Sequence, residues 1–348
     1  QQMNKRENMK VGILDYSIDA EIEKKVIGPE TEIILYQAEK ECELPESIDE
    51  LDAVLVWHHI EVTKSIIDRL SNCKFIIRIG TGYDSVDYRY AGEKGIPVLN
   101  VPDYGTEDVA EHAMALMLSL NRSIPVYQEK LFENITDNWV AASGGYIPRI
   151  SGKTMGIVGM GRIGTAMAMR AKGMGMNVIF YDPYVADGYD KAVQCKRLES
   201  LEKLFGISDF VSLHTLLSEE TEGMINDDIL SHCREKLMLI NTSRGKVVKN
   251  AAVYRALKSG KLRAFAADVL EQEPPDLIHD ELIRAYVNQE NFIKNRMLLT
   301  PHAAFYAEES RYEMRYKAAE AVRRMVDGLP LKNCINKDYL KEERYEVI

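Results

Sequence analysis

Polar residues and glycines come at the ends of six apolar segments in the second half of the chain. Parallel strands present their carboxyl ends at one edge of a sheet, and α/β proteins bind ligands there. We therefore expect these residues to line a single edge. They are Gly159 to Gly164 after TMGIV, Asp182 ending NVIFYD, His214-Thr215 after DFVSL, Thr242 to Gly245 after LMLIN, Asp268 with Glu273 after AFAA, and His302 after MLLTP.

The run Gly159-Met160-Gly161-Arg162-Ile163-Gly164 has the spacing GxGxxG, follows a predicted strand and opens a predicted helix. Asp182 ends the next strand, 18 residues beyond Gly164. This context predicts dinucleotide binding: the glycines allow a tight turn, close approach of the backbone to the pyrophosphate, and close packing of helix on strand. Asp182 can accept the ribose hydroxyls and would repel a 2′-phosphate, and Pro183 and Tyr184 supply no cation, so NAD is favoured over NADP.

Arg244, Glu273 and His302 follow three successive strands of the same set. Taken singly, each has an ordinary explanation as a surface arginine, a solvated carboxylate or a capping histidine. Together they suit hydride transfer at a carbonyl. A guanidinium polarises the carbonyl and grips an adjacent carboxylate, an imidazole exchanges the proton, and a carboxylate holds that imidazole in one tautomer. No metal site is predicted.

The elements that position these groups are strands alternating with helices, which predicts parallel sheets. Five strands come before a long helix at about 106–122, a Gly-containing stretch at 134–152 suggests a hinge, and six strands and a final helix at 308–327 complete the chain. We expect an α/β protein with two Rossmann-like or flavodoxin-like parallel-sheet domains joined by a hinge, and an active site in the cleft between them. The expected domains are 1–104 plus 305–348 for substrate and 105–304 for NAD.

The composition excludes several classes of protein. The 348 residues include 44 Lys+Arg and 54 Asp+Glu, a net charge of −10, which argues against direct nucleic-acid binding. No apolar run approaches the length of a membrane span, and the polar start QQMNKRENMK does not resemble a secretory signal. The five cysteines form no CxxC pair, so we expect free thiols in a reducing, cytoplasmic compartment.

Seven stretches carry a resemblance to the NAD-dependent, D-isomer-specific 2-hydroxyacid dehydrogenase superfamily, in the family order, from about residue 50 to the end. Within it, the sequence is most similar to the C-terminal-binding-protein branch, on WHHIEVT, HAAFYAEES and LKNCINKDYL. The seven are RIGTGYDSVD, NVPDYGTEDVAEHAMALML, GIVGMGRIG, VSLHTLLSEET, LINTSRGKVV, AADVLEQEP and LTPHAAFYAEES.

The resemblance implies roles for individual residues. Arg244 would bind the carboxylate and carbonyl of a 2-oxo or 2-hydroxy acid, Glu273 would orient His302, and His302 would be the acid/base. It also implies a homodimer with helices such as 106–122 crossing between subunits, although the apolar face of that helix fits an intramolecular core nearly as well. The implied cofactor contacts are Thr81, Gly159 to Gly164, Asp182, His214, Thr215, Thr221, Thr242 and Asp268. The implied substrate residues are Arg78, Gly80, Gly82, His58 and Phe305.

The sequence departs from the family at three places. Thr215 stands where many relatives have proline, which changes the cofactor wall, and Phe305 replaces a tryptophan of the branch, which enlarges the pocket. The stretch 275–297 is longer than usual; an added amphipathic helix is one interpretation, and we expect a solvated insertion rather than a lid or partner contact. Two other functions stay open: an NAD(H)-responsive, corepressor-like binding protein, and a dehydrogenase for a phosphorylated hydroxy acid or another oxyanion.

Overall fold

The computed structural model describes residues 9–341 and 346–348. The polar N-terminal stretch 1–8 and residues 342–345, which the sequence analysis assigned to the first domain, lie outside the described residues. The chain forms two compact units, one comprising 1–104 and 307–348 and the other 105–306. The sequence analysis placed the second boundary at 304/305. Phe305 and Tyr306 instead belong to the second unit, where the Phe305 ring meets His302 and the Tyr306 N–H donates to Ala303 O.

The N-terminal part of the first unit alternates strands with short helices. Its five parallel strands have the order β2-β1-β3-β4-β5, which is the order of flavodoxin-like sheets. β3 and β4 are buried along their whole length, as expected of central strands covered on both faces. The elements are β1 (Met9–Asp15), α1 (Glu21–Ile27), β2 (Thr31–Ala38), β3 (Ala53–Val56), α2 (Lys64–Arg69), β4 (Phe75–Arg78), α3 (Tyr88–Glu93) and β5 (Val98–Asn100).

The second unit contains a seven-stranded parallel sheet with the order β12-β11-β10-β9-β6-β7-β8. Counted from β6, this is the Rossmann order with one strand added at the β12 edge. Its elements are α4 (Thr106–Asn121), α5 (Ile124–Glu133), β6 (Thr154–Val158), α6 (Arg162–Gly173), β7 (Asn177–Tyr181), α7 (Tyr189–Val193), β8 (Lys196–Leu198), α8 (Leu201–Ile207), β9 (Phe210–Leu213), α9 (Asp227–Ser231), β10 (Leu237–Asn241), α10 (Asn250–Lys258), β11 (Leu262–Ala267), α11 (Glu281–Val287) and β12 (Met297–Leu299).

The chain then returns to the first unit through α12 (Glu308–Val326). α12 is fastened to α1 by Arg315, whose guanidinium donates to both carboxylate oxygens of the buried Glu23 and to Asp19. The hydrogen bonds that Arg315 donates to Glu23, and after them the one to Asp19, outweigh burial and hold the pKa of Arg315 above its ordinary value. The C-terminal segment also contributes Asn336, whose side chain accepts from Val98 N–H beside the edge strand β5.

Two expectations about the second unit need correction, and an alternative left open for α4 is decided. It has seven strands and not six, because the three-residue strand β8 is too short for its pattern to be recognised. The stretch 275–297 is not a solvated insertion: α11 and the turn after it bury Leu282, Ile283, Ala285 and Ile293 in the core. The apolar face of α4 is also internal, since Met114, Leu116 and Met117 pack in the same cluster as Met167 of α6.

None of the helices in the described ranges has the length and apolar character that crossing a bilayer requires. All five cysteines are free thiols, three of them buried.

Candidate active site

The turn between β6 and α6 is tight because two of its glycines face backbone. Gly159 has φ +87°, and a Cβ there would lie 2.7 Å from His214 O. A Cβ at Gly164 would lie 2.0 Å from Gly159 O, so α6 can pack this closely only on a glycine. The N–H of Gly159 donates to Tyr181 O of the neighbouring strand β7. The turn therefore aims the N-terminus of α6 along the carboxyl edge of the sheet.

The residues around this turn fit a dinucleotide. A Cβ at Gly161 would meet no described atom within 4 Å, which leaves open space directly above the uncapped N-terminus of α6. The hydroxyls of Thr215 and Thr242, at the ends of β9 and β10, are buried and have no hydrogen-bond partner among the described residues. A buried hydroxyl without a partner is costly, so each is suited to a ligand. The open helix end and both hydroxyls therefore suit a bound NAD.

Asp182 follows β7 and is held by backbone. Its Oδ2 accepts from Met160 N–H at 2.7 Å, and its Oδ1 accepts from Tyr184 N–H at 2.8 Å. The carboxylate is thus fixed beside the glycine turn. Arg197, at the centre of β8, donates to Asp182 O at 2.8 Å and lies 3.7 Å from Asp187. The sequence pattern gives no sign of this cation because β8 is too short to be recognised.

His214 and Thr221 are engaged within their own segments. His214 Nε2 lies 2.9 Å from Ser212 Oγ, and burial lowers the pKa of His214 to about 3. The ring is therefore neutral near pH 7, so it can contribute packing surface but cannot act as a general acid. Thr221 Oγ1 donates to Leu216 O and accepts from Ser218 N–H, which closes the loop after β9.

The structure brings Glu273 and His302 into direct contact. His302 Nδ1 lies 2.6 Å from Glu273 Oε2, and Glu273 Oε1 accepts from Leu270 N–H at 2.9 Å. Arg244 follows β10 on the same sheet edge. Asn241, buried at the end of β10, holds its segment by donating to Arg244 O and by accepting from Ser243 N–H.

The electrostatics of this cluster decide where the proton sits. Burial raises the pKa of Glu273, but the hydrogen bond and charge of His302 outweigh it, with smaller contributions from Leu270 N–H and Arg244. The pKa of Glu273 therefore lies below its ordinary value, and the carboxylate is an acceptor. His302 Nδ1 must then be the donor, which leaves Nε2 as the nitrogen able to exchange a proton with a substrate oxygen.

Asp268, one of the implied cofactor contacts, is almost completely buried. Its side chain is 1% exposed, and both oxygens accept hydrogen bonds from the segment that carries His302. In the same segment, the Phe305 ring lies edge-on to His302, with 6.4 Å between ring centroids. Phe305, a predicted substrate residue, therefore lies next to His302 within this unit.

The residues predicted for the first unit lie at the carboxyl ends of its strands. Gly80 has φ +143°, and Asn100 donates to Thr81 O at 2.7 Å, so the Gly80–Gly82 loop is held to β5. Arg78 is buried and donates to Ile79 O. His58 is exposed and lies against His59, with ring centroids 4.4 Å apart.

Sequence reasoning missed the side chains that hold the predicted ones. In the first unit, the fully buried Asp15 accepts from the N–H groups of Trp57, His59 and Ile60 and so fixes the loop that carries His58. In the second unit, His112 of α4 contacts Thr300 just before His302. The only local signal for His112 is a polar residue one turn before the buried Leu116. Within the described ranges, no cluster of three or more His, Cys, Asp or Glu could hold a metal ion.

A Rossmann sheet with an open glycine turn and a histidine–carboxylate pair on its ligand-binding edge is typical of nicotinamide-dependent dehydrogenases. The chain belongs to the D-isomer specific 2-hydroxyacid dehydrogenases: the family description "D-isomer specific 2-hydroxyacid dehydrogenase, NAD binding domain" matches residues 114–304. The matched range covers β6 to β12 and contains Arg244, Glu273 and His302. The second unit is thus the NAD-binding domain of this family.

Individual relatives agree with this assignment. The chain is 31% identical over 340 residues to C-terminal-binding protein 1 of Caenorhabditis elegans, covering 94% of this chain and 45% of the relative. It is 32% identical over 311 residues to D-3-phosphoglycerate dehydrogenase of Methanocaldococcus jannaschii, covering 87% and 55%. The chain therefore spans about half the length of these curated relatives.

Among solved structures, D-lactate dehydrogenase of Aquifex aeolicus in complex with NAD and lactic acid is similar, with a TM-score of 0.78 and 27% identity. The match covers 95% of this chain and 97% of that one. The two-sheet α/β architecture is shared over nearly the whole length of both chains.

Proposed function

We propose that this chain is an NAD-dependent dehydrogenase that interconverts a 2-oxo acid and the D-2-hydroxy acid. The observation that carries the proposal is the 2.6 Å contact between His302 Nδ1 and Glu273 Oε2, with Arg244 on the same sheet edge. The contact joins a carboxylate to the imidazole that it can orient, as an acid/base pair requires. The family membership of the chain supports the same activity.

In the proposed reaction, bound NADH supplies the hydride for the carbonyl carbon, and NAD accepts it in the reverse direction. Arg244 grips the substrate carboxylate and draws electron density toward the carbonyl oxygen. His302 gives the proton from Nε2 to that oxygen as the alcohol forms, and takes it back during oxidation. Glu273 keeps the Nδ1 proton in place and stabilises the imidazolium. The Gly80–Gly82 loop, Arg78 and His58 stay predicted substrate residues, and Thr81 stays a predicted cofactor contact.

The test is Arg244→Ala, assayed by NADH oxidation with a panel of 2-oxo acids. Losing one preorganised donor costs about 3–4 kcal/mol of transition-state stabilisation, so we expect kcat/KM to fall at least about a hundredfold. NADH binding, followed by fluorescence, should persist because Arg244 is not part of the glycine turn. Chiral chromatography of the product should give the D isomer.

Arg255→Ala is the matched control. Arg255 lies on α10 of the same unit and pairs with Asp227 at the surface, so its loss should leave turnover unchanged. Turnover by Arg244→Ala at the unmodified rate with every acid of the panel would refute the assignment. A preference for a phosphorylated acid within the panel would instead support the other-oxyanion alternative.

The similarity to C-terminal-binding protein 1 supports a second candidate, an NAD(H)-responsive binding protein. That candidate expects NADH-dependent capture of a partner and no turnover of any oxo acid. We place the dehydrogenase first because the Glu273–His302 pair is suited to proton exchange, which capture of a partner does not require. We also propose a cytoplasmic location, since five unpaired cysteines are typical of a reducing compartment.

We further propose that the chain forms a homodimer through the segment 124–146. Because the apolar face of α4 is buried within its own unit, α4 is not the apolar part of such an interface. The segment that follows α4 exposes large apolar side chains, which are suited to a second copy. They are Ile124, Phe132, Ile135, Trp139, Val140 and Tyr146.

Sedimentation velocity at micromolar concentration tests this proposal. We expect a dimer for the unmodified chain and a monomer for Trp139→Asp, because burying an unpaired charge among apolar side chains at an interface is unfavourable. Ile278→Asp is the control, since Ile278 is equally exposed but lies outside the segment. A monomeric unmodified chain, or a dimer lost equally in both variants, would contradict the proposal.

A further inference from the structure

Asp268 grips the chain on both sides of His302. Its Oδ1 accepts from Thr300 Oγ1 at 2.6 Å and from Ala303 N–H at 2.8 Å, and its Oδ2 accepts from Ala304 N–H at 2.9 Å. His302 N–H donates to Asp268 O at 2.8 Å. One buried aspartate therefore fixes the backbone before, at and after the proposed acid/base.

The backbone at His302 needs such support. Its φ is +53°, in the left-handed region, which costs a residue with a Cβ about 1–2 kcal/mol. The backbone conformation of His302 sets the direction in which its side chain leaves the chain. A change to an unstrained backbone conformation would therefore move Nδ1 away from Glu273. The hydrogen bonds to Asp268 are what the structure offers to hold this conformation.

A side chain of α4 also takes part in this hydrogen-bond network. His112 Nε2, on α4, lies 2.9 Å from Thr300 Oγ1 and 3.7 Å from Asp268 Oδ1. Thr300 has one hydroxyl proton, and a carboxylate can only accept, so that proton is on the bond to Asp268. Thr300 Oγ1 must then accept from His112, and Nε2 of His112 carries a proton. The chain of donors runs from His112 to Thr300 to Asp268.

The element that carries His112 is firmly placed. Ala110, Ala113, Met114 and Met117 of α4 are buried in the core cluster that contains Met167 of α6. The His112 side chain is only about a quarter exposed. A rigid helix thus presents a fixed donor to Thr300, which restricts the hydroxyl of Thr300 to the rotamer that reaches Asp268.

We propose that His112 is a positioning residue for the dehydrogenase, which acts through Thr300 and Asp268 to hold the His302 backbone in its productive conformation. The inference rests on the proposed function. His112 touches neither substrate nor cofactor in this scheme. It acts on turnover by aligning His302 with Glu273, and misplacement of a catalytic group by about 1 Å can cost about a hundredfold in rate.

The kinetic test uses two damaging variants and two conservative ones. His112→Ala removes the donor to Thr300, and Thr300→Val removes the hydroxyl that links His112 to Asp268. For both variants we expect kcat to fall about tenfold to a hundredfold, with little change in substrate KM or in NADH affinity. His112→Gln keeps a side-chain N–H donor and Thr300→Ser keeps the hydroxyl, so both should recover most of kcat. The double variant His112→Ala/Thr300→Val should be little worse than Thr300→Val alone, since both changes break one chain.

A second measurement does not depend on activity. Amide hydrogen exchange at Ala303 and Ala304 should become faster in His112→Ala and Thr300→Val and stay slow in the conservative variants. Glu111→Ala is the control on the same helix, because Glu111 pairs with Arg170 and stands outside the network. It should change neither exchange nor kcat.

The outcomes separate the two proposals. Exchange unchanged in His112→Ala overturns the network, whatever the kinetics. Faster exchange with unchanged kcat overturns the positioning role and leaves the dehydrogenase standing, as does a higher KM at constant kcat. An unmodified chain without turnover removes the proposed function, and with it the catalytic role of His112, even if His112 protects the Ala303 and Ala304 amides.

Discussion

At Glu273 a net pKa shift is the outcome of opposing effects. Burial raises the pKa of this carboxyl, while contact with His302 lowers it, and the contact prevails. A carboxyl whose pKa is lowered on folding adds stability above its ordinary pKa of 4.5, and this stability is lost as the pH falls through the folded value. Near neutral pH the contact between Glu273 and His302 therefore stabilises the folded state and also keeps a proton on Nδ1 of His302.

At His214 burial alone acts, and it predicts a different pH dependence. The folded pKa is about 3, against an ordinary value of 6.5. Below pH 6.5 the unfolded chain takes up a proton at this ring, whereas the folded chain does not, so acidification lowers the free energy of unfolding and raising the pH restores it. The loss is about 1.4 kcal/mol for each pH step of one below 6.5, until the folded value is reached.

The variant His214→Asn checks this prediction. Asparagine can keep a hydrogen bond to Ser212 but does not titrate. Between about pH 7.5 and about pH 5.5, we expect the melting temperature of the unmodified chain to fall more steeply than that of the variant. Parallel curves would mean that the ring is solvated in the folded protein.

At the scale of elements, two glycines of the β6–α6 turn have different roles: Gly164 allows close packing, and Gly161 leaves space for a ligand. Gly164→Ala forces a methyl group against Gly159 O and should cost about 1–3 kcal/mol of folding stability as α6 moves off β6. Gly161→Ala adds the same methyl group in open space, at a φ of −72° that alanine tolerates. We expect Gly161→Ala to retain the melting temperature and to weaken NADH binding about tenfold or more, since the group points where the dinucleotide would lie.

Thermal melting and fluorescence titration of both variants decide this. Each variant serves as the control for the other, because the chemical change is identical and only the surroundings differ. If Gly161→Ala binds NADH as the unmodified chain does, the open space above α6 is not the cofactor site.

Elements with a strong, local pattern were predictable. All five strands of the first unit and the long helices α4 and α12 come where β-branched runs and apolar periodicity place them. β8 was not, because three residues carry too little pattern. The stretch 275–297 is expected to be a solvated insertion because it is longer than the family usually allows, yet Leu282, Ile283 and Ala285 of α11 dock into the core.

At the scale of the whole molecule, the preference for one cofactor should appear as a larger gain in the stability of the folded protein with that cofactor than with the other. A ligand that binds only the folded state at about a hundred times its Kd adds about 2.7 kcal/mol of stability. We expect NADH to raise the melting temperature more than NADPH at equal concentration, because the carboxylate of Asp182 repels a 2′-phosphate. Asp182→Ala should narrow the difference, since it removes the carboxylate that would repel the 2′-phosphate and keeps Arg197, which donates to the backbone carbonyl of residue 182.

Differential scanning fluorimetry with both cofactors is the measurement. Adding Arg197→Ala to Asp182→Ala serves as the control and should remove the gain for NADPH. Equal stabilisation of the unmodified chain by NADH and NADPH would show that Asp182 does not select the cofactor.

The sequence alone determined the two-sheet α/β class and the glycine turn, and it singled out Arg244, Glu273 and His302 as candidate catalytic residues. These follow from local order: apolar runs define strands, parallel strands end at one edge, and the residues that follow them are known by position. The roles proposed for the substrate residues of the first unit rest on resemblance and stay predictions.

Only the tertiary structure decided which side chains support the site. His112 and Thr300 are 188 residues apart, and Asp15 meets a loop more than forty residues away. No periodicity encodes such pairs, because a hydrogen bond depends on the meeting of two atoms that separate elements bring within about 3 Å. The tertiary structure likewise decided that the apolar face of α4 is internal, because an apolar stripe on a helix predicts a buried face but does not predict which element packs against it.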